Sequence, residues 1–177
     1  GVQTCALPIF KTFQYVYKIK QLQNLGNVGK VFLDLKSYAS ACEATMTAMD
    51  FSEIGSSLSQ FSAEAIAAGA SMASLSAEQT AAALAAAGYS SIETAAAMAT
   101  AGYDAATVAA ALSTQGLTTE QIAGAMSATQ FTASQIAAAL AAQGVGESAI
   151  IAALEATGLS SAEAAAAVTA GTMAAAN

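Results

Sequence analysis

From Phe61 onward the chain repeats itself every fourteen residues. Units 61–74, 75–88, 89–102, 103–116, 117–130, 131–144, 145–158 and 159–172 align without gaps, and such a period constrains the fold more than any single residue can. The first position is large and apolar in every unit: Phe61, Leu75, Tyr89, Tyr103, Leu117, Phe131, Val145 and Leu159. The tenth is Ala70, Leu84, Met98, Leu112, Met126, Leu140, Leu154 and Val168. Glycine closes five units, as Gly88, Gly102, Gly116, Gly144 and Gly158.

Fourteen residues can be two heptads of a continuous helix, or one short helix and a turn. At about 100° per residue, positions one and ten of an unbroken helix lie roughly 180° apart and form no single stripe. A glycine recurring inside such a helix also costs about 1 kcal/mol each time relative to alanine. The short-helix reading uses every recurrent letter. Position two offers an N-cap in Ser62, Ser76, Ser90, Asp104, Thr118, Thr132, Gly146 and Ser160, whose side chain can accept an orphan backbone N–H. Three residues later, Gln79, Glu93, Gln121, Gln135 and Glu163 complete a capping box in five units. The first position precedes the cap, so Phe131 can staple onto Ile136 and Leu117 onto Ile122. Glycine in the left-handed conformation then closes the helix, bringing Leu117 against Leu112 as a Schellman motif requires.

Each unit is therefore expected to hold about eleven helical residues, roughly 16 Å long. Isolated helices this short are marginal in water, so neighbours must stack on their small alanine faces. The fold class expected is all-α: tandem fourteen-residue helical repeats in an α-solenoid-like array. Antiparallel pairs would give twenty-eight residues per turn. Composition agrees once alanine is separated out. It supplies 50 of the 177 residues, while Leu, Ile, Val and Phe together supply 35. So low a share with high net charge would read as disorder, but the net charge is only −7 and alanine is the best helix former.

Four segments are expected. Residues 1–9, GVQTCALPI, look like a translated sequencing adapter and are set aside, so that the native chain begins near Phe10 and is a fragment of something longer. Residues 10–60 form an N-terminal helical segment of one or two longer helices, with Phe13, Tyr17, Ile19 and Leu22 on one and Phe32, Leu35, Tyr38 and Cys42 on the next. Residues 61–172 are the eight repeats, and 173–177 a truncated tail. With Cys5 set aside, Cys42 is the one native cysteine and no disulfide framework is possible, which fits intracellular synthesis.

Charge limits the chemistry. All five bases precede the repeats, as Lys11, Lys18, Lys20, Lys30 and Lys36, whereas residues 41–177 carry eleven acids and no base. That stretch cannot neutralise phosphates, so no direct nucleic-acid binding is expected from residues 41–177. The charge-free run Gln121 to Gly146 lacks the large apolar residues of a membrane span; three lysines about the first helix leave surface contact with a membrane open.

No catalytic, cofactor-binding or metal residue is expected, and no cofactor. GNVGK, Gly26 to Lys30, has two residues between its glycines where a phosphate-binding loop has four, and Val31 where magnesium needs Ser or Thr; it reads as a helix break. Cys42 has no histidine to activate it. Asp50 and Glu53 find no second pair. Glu64, Glu78, Asp104, Glu120 and Glu147 fall singly on first turns, where the helix macrodipole favours them. Met72, Met98 and Met126 read as core.

The phrases SLSAEQTAAAL, GLTTEQIAGAM and GLSSAEAAAAV, spread over roughly residues 50–172, resemble the alanine-rich repeats of phage tail tape measure proteins, and LGNVGKVFLDL is in keeping with them. That resemblance implies a structural virion component rather than an enzyme, a long helical protein in the virion tail, made in the host cytoplasm. Such a protein sets tail length, leaves during DNA entry, and forms an oligomer with tube, chaperone and baseplate proteins as partners. LTTEQIAGA is also similar to the first helix of repeat proteins that read DNA one base at a time, but those use longer units and a basic surface. The alternative function is an α-solenoid that binds a protein or peptide without catalysis.

Overall fold

The computed structural model of the chain describes Gly55, Leu58 and residues 59–175. The expected helices within 10–60, together with the Gly26–Lys30 break, Cys42, Asp50 and Glu53, lie outside the described residues. Among the described residues there is no strand. Eight helices follow one another there: α1 Ala63–Met72, α2 Ala77–Ala86, α3 Ser91–Thr100, α4 Ala105–Thr114, α5 Thr119–Ser127, α6 Ala133–Ala142, α7 Glu147–Glu155 and α8 Ser161–Ala175. Each repeat is thus one short helix. The first seven run nine or ten residues, slightly under the expected eleven.

The helices start where the N-caps stand. Ser62, Ser76, Ser90, Asp104, Thr118 and Thr132 are all extended, and each accepts the N–H three residues on. The reciprocal bond, from cap N–H back to the side chain at the third helical position, is present in all five expected boxes. Gln79, Glu93, Gln121, Gln135 and Glu163 accept at 2.8–2.9 Å. Two orphan donors per helix are satisfied this way. Gly146 has no side chain to offer, and α7 starts without a side-chain cap.

The five glycines take the left-handed conformation, with φ between +80° and +102°. Their N–H groups donate to the carbonyl three residues back at 2.9–3.1 Å. The second Schellman bond is made by Tyr103 N–H to Met98 O at 3.1 Å and by Val145 N–H to Leu140 O at 3.2 Å. Ser74 does the work of a glycine after α1: its φ is +54°, and Leu75 N–H reaches Ala70 O at 3.0 Å.

Burial follows position in the repeat. The tenth position is buried in every unit, and so is the sixth: Ile66, Thr80, Thr94, Val108, Ile122, Ile136, Ile150 and Ala164. Full burial of a residue such as Ile136 or Leu140 contributes about 1.5–3 kcal/mol. The first position is different. Leu75 is buried, but Phe61, Tyr89, Tyr103, Leu117, Phe131, Val145 and Leu159 are half-buried, because they sit at the joints and not on the inward helix face. Met98 and Met126 are core as expected; Met72 is not, being 66% exposed. It occupies the twelfth position, which points outward, whereas the other two occupy the tenth.

The chain divides into two compact units, Gly1–Gly88 and Tyr89–Asn177. In the first, α1 packs on α2. In the second, each helix packs on the next and on the one after that: α3 on α5, α5 on α7, α4 on α6, and most extensively α6 on α8. Helices two apart are twenty-eight residues apart, so this unit has the expected period per turn. Its last helix departs from the pattern. Unit eight has Thr172 where six of the other seven units end on a left-handed residue, and α8 runs through that position to Ala175, fifteen residues in all. Gly171 lets it lie close on α6. A Cβ there would stand 2.5 Å from Ser134 O and 2.9 Å from Ala138 N.

Candidate functional site

What these residues offer to a partner or substrate is set by what the helices leave outward. Positions two to five of each unit are the caps and first turns, and they carry most of the polar chemistry. Glu64, Glu78, Asp104, Glu120 and Glu147 are all exposed there, where the helix N-terminus favours a negative group. Among the described residues no three His, Cys, Asp or Glu side chains converge so as to hold a metal ion.

The perturbed carboxylates are those that serve as caps or lie beside one. Glu93 is held below the usual carboxylate range first by the Ser90 hydroxyl and then by the Ser90 N–H. Ser90 Oγ donates to Glu93 Oε2 at 2.7 Å and Ser90 N–H donates to the same oxygen at 2.8 Å. Glu163 is lowered in the same way by Ser160, whose hydroxyl and N–H donate at 2.6 and 2.9 Å. The Thr107 N–H, donating at 2.7 Å, lowers Asp104, and the Ser76 hydroxyl lowers Glu78. Hydrogen bonding to the charged form is the cause in all four. Each shift favours the ionised form at a helix N-terminus rather than tuning an acid or base towards neutral pH, which general acid–base work would require.

Large exposed apolar side chains are few and on separate helices: Met72 on α1, Ile92 on α3 and Met173 on α8. Scattered singly, they are ordinary surface residues. Elsewhere the outward positions are mostly Ala, Ser, Thr, Gln and Glu. No described helix is long and apolar enough to cross a membrane.

One joint differs from its neighbours in a way whose tertiary consequence the repeat alignment does not show. After α5, Gln130 stands where five other units have glycine. Its Nε2 donates to Ala99 O on α3, 31 residues back, at 3.3 Å. The absence of glycine at that place was the signal in the sequence.

The class these features define is an alanine-rich α-helical repeat array. Comparison with protein-family models, with curated proteins and with solved structures finds no match for the chain.

Proposed function

We propose that the array is a structural length element, part of a phage tail tape measure protein, which sets tail length and assists DNA entry from within the virion tail. The observation that carries this reading is the self-sufficiency of the unit. Each fourteen-residue phrase brings its own inward pair at positions six and ten, and most bring their own N-cap and stop. Length can therefore be added or removed in whole units without redesigning the rest, as nearest-neighbour stacking allows. The resemblance of SLSAEQTAAAL and GLTTEQIAGAM to tape measure repeats supplies the family, and with it tube, chaperone and baseplate proteins as partners.

A catalytic role has little to work with in the described residues, whose lowered carboxylates Glu93, Asp104 and Glu163 serve as helix caps. The second reading, a solenoid that binds a protein or peptide, is favoured by Ile92, which is 51% exposed on α3. Tight interfaces concentrate their energy in clustered aromatic and Arg anchors, and the outward alanines, serines and threonines offer few. The two readings part on one experiment. Deleting or duplicating residues 117–144 in the parent gene should change tail length, measured by electron microscopy, in proportion to the residues changed. Tails of unchanged length, or a gene lying among metabolic rather than tail genes, would sink the proposal.

A further inference from the structure

At six joints the chain turns on a left-handed residue: Ser74, Gly88, Gly102, Gly116, Gly144 and Gly158. Each donates its N–H to the carbonyl three residues back, so the stop is written into the backbone. The joint between α5 and α6 is built differently. Gln130 is not among the residues of positive φ. The bend keeps one backbone bond, Thr129 N–H to Met126 O at 3.0 Å, and is otherwise held by side chains. Thr129 Oγ1 donates to Met126 O at 2.6 Å and accepts the Phe131 N–H at 3.2 Å. Gln130 Nε2 ties the joint to Ala99 O on α3 at 3.3 Å.

We propose that this joint is the opening point of the α3–α8 unit, a latch of two hydrogen bonds, Phe131 N–H to Thr129 Oγ1 and Gln130 Nε2 to Ala99 O, whose release lets α5 and α6 run together into one helix. Gln130 is exposed and Thr129 half-buried, so water competes for these bonds, and each contributes only a small net free energy. Residues 128–132, Ala-Thr-Gln-Phe-Thr, contain neither Gly nor Pro. Nothing in them resists helix as a glycine would at the neighbouring joints. Gly124 is already helical, with open space around it. The merged helix would run from Thr119 to Ala142, 24 residues, still capped by Thr118 and still stopped by Gly144. Opening gives up the packing of α6 on α4 and disturbs its packing on α8, so the closed form dominates in the free chain. The inference does not depend on the length-setting role.

Hydrogen exchange on the full chain tests it first. Amides of residues 129–132 should exchange faster than their counterparts at 143–146, and Gln130→Gly, which installs a glycine stop, should slow them about fivefold. Spin labels at Glu120→Cys and Ala142→Cys, with Cys5 and Cys42 replaced by Ser, read the geometry. The closed pair lies about 10–15 Å apart, and the merged helix separates the labels by about 33 Å. Thr129→Val with Gln130→Ala should enlarge the long-distance population several-fold, and Gln130→Gly should remove it. Exchange at 129–132 no faster than at 143–146, or no long distance in the double variant, would overturn the proposal.

Discussion

Three glycines in this chain should answer the same substitution in three ways. Gly124 lies inside α5, and a Cβ there meets nothing within 4 Å. Gly124→Ala should therefore stabilise by about 1 kcal/mol, the ordinary helix-propensity gain. Gly144 also has nothing within 4 Å of a Cβ, but its φ is +80°. An alanine there has room and the wrong backbone, which costs about 1–2 kcal/mol. Asn tolerates the left-handed region better, so Gly144→Asn should cost less than Gly144→Ala. Gly171 has a helical backbone, so propensity alone favours alanine. Its Cβ, however, would stand 2.5 Å from Ser134 O and 2.9 Å from Ala138 N, both backbone atoms of α6. Relief requires α8 to move off α6, and overpacking of this kind costs about 1–3 kcal/mol. Thermal unfolding followed by circular dichroism measures all four variants, with a shift of about 2–4 °C expected per kcal/mol at this size. Alanine stabilising at Gly144 would refute the stop. Alanine stabilising at Gly171 as it does at Gly124 would refute the close approach of α8 to α6.

Thr94, 3% exposed in α3, has its N–H bonded to Ser90 O at 2.8 Å, with no partner for its hydroxyl among the described residues. Thr94→Val should raise stability by about 1 kcal/mol, and a loss measured by denaturant titration would contradict that placement. The ionised caps give a pH dependence with a definite sign. Glu93, Asp104 and Glu163 have lowered folded-state pKa values. Their contribution is therefore complete above the unfolded carboxylate range, about 4, and is lost as pH falls through the lower folded values. Hydrogen exchange at about pH 3 should show first-turn fraying in α3, α4 and α8 while α5 and α6, capped with Gln121 and Gln135, hold. Equal fraying in all five would refute it. Glu93→Gln should abolish the effect in α3 alone.

How much of this was legible depends on whether the cause was local. The five boxes, the five left-handed glycines and the inward tenth position were readable because cap, stop and helix face are all fixed within one unit of sequence. Capping residues act on backbone groups three positions away, so no tertiary knowledge is needed. Met72 misled because residue type was read without phase: two positions along, the same side chain points to solvent. The half-burial of Tyr89, Tyr103, Leu117 and Phe131 was hidden for a related reason, since the large residue at a joint can be covered only by its neighbours. The run-on of α8 could be inferred from Thr172, a residue that does not favour the left-handed region, yet its seat on α6 depends on Gly171 meeting Ser134 and Ala138, more than thirty residues back. The candidate functional surface was legible only in outline, because outward alanine and serine specify helix and spacing but no particular partner.

The central claim is that these repeats are stacked short helices rather than one continuous rod. It is tested most directly by the separation of residues twenty-eight apart across two glycine joints. Ile92 and Glu120 are both exposed, on α3 and α5, which pack on each other. Labelled through Ile92→Cys and Glu120→Cys, with Cys5 and Cys42 replaced by Ser, they should broaden each other's spin-label spectra at a separation of about 10 Å. A separation of about 42 Å, the length of a continuous helix over the same residues, would contradict the account.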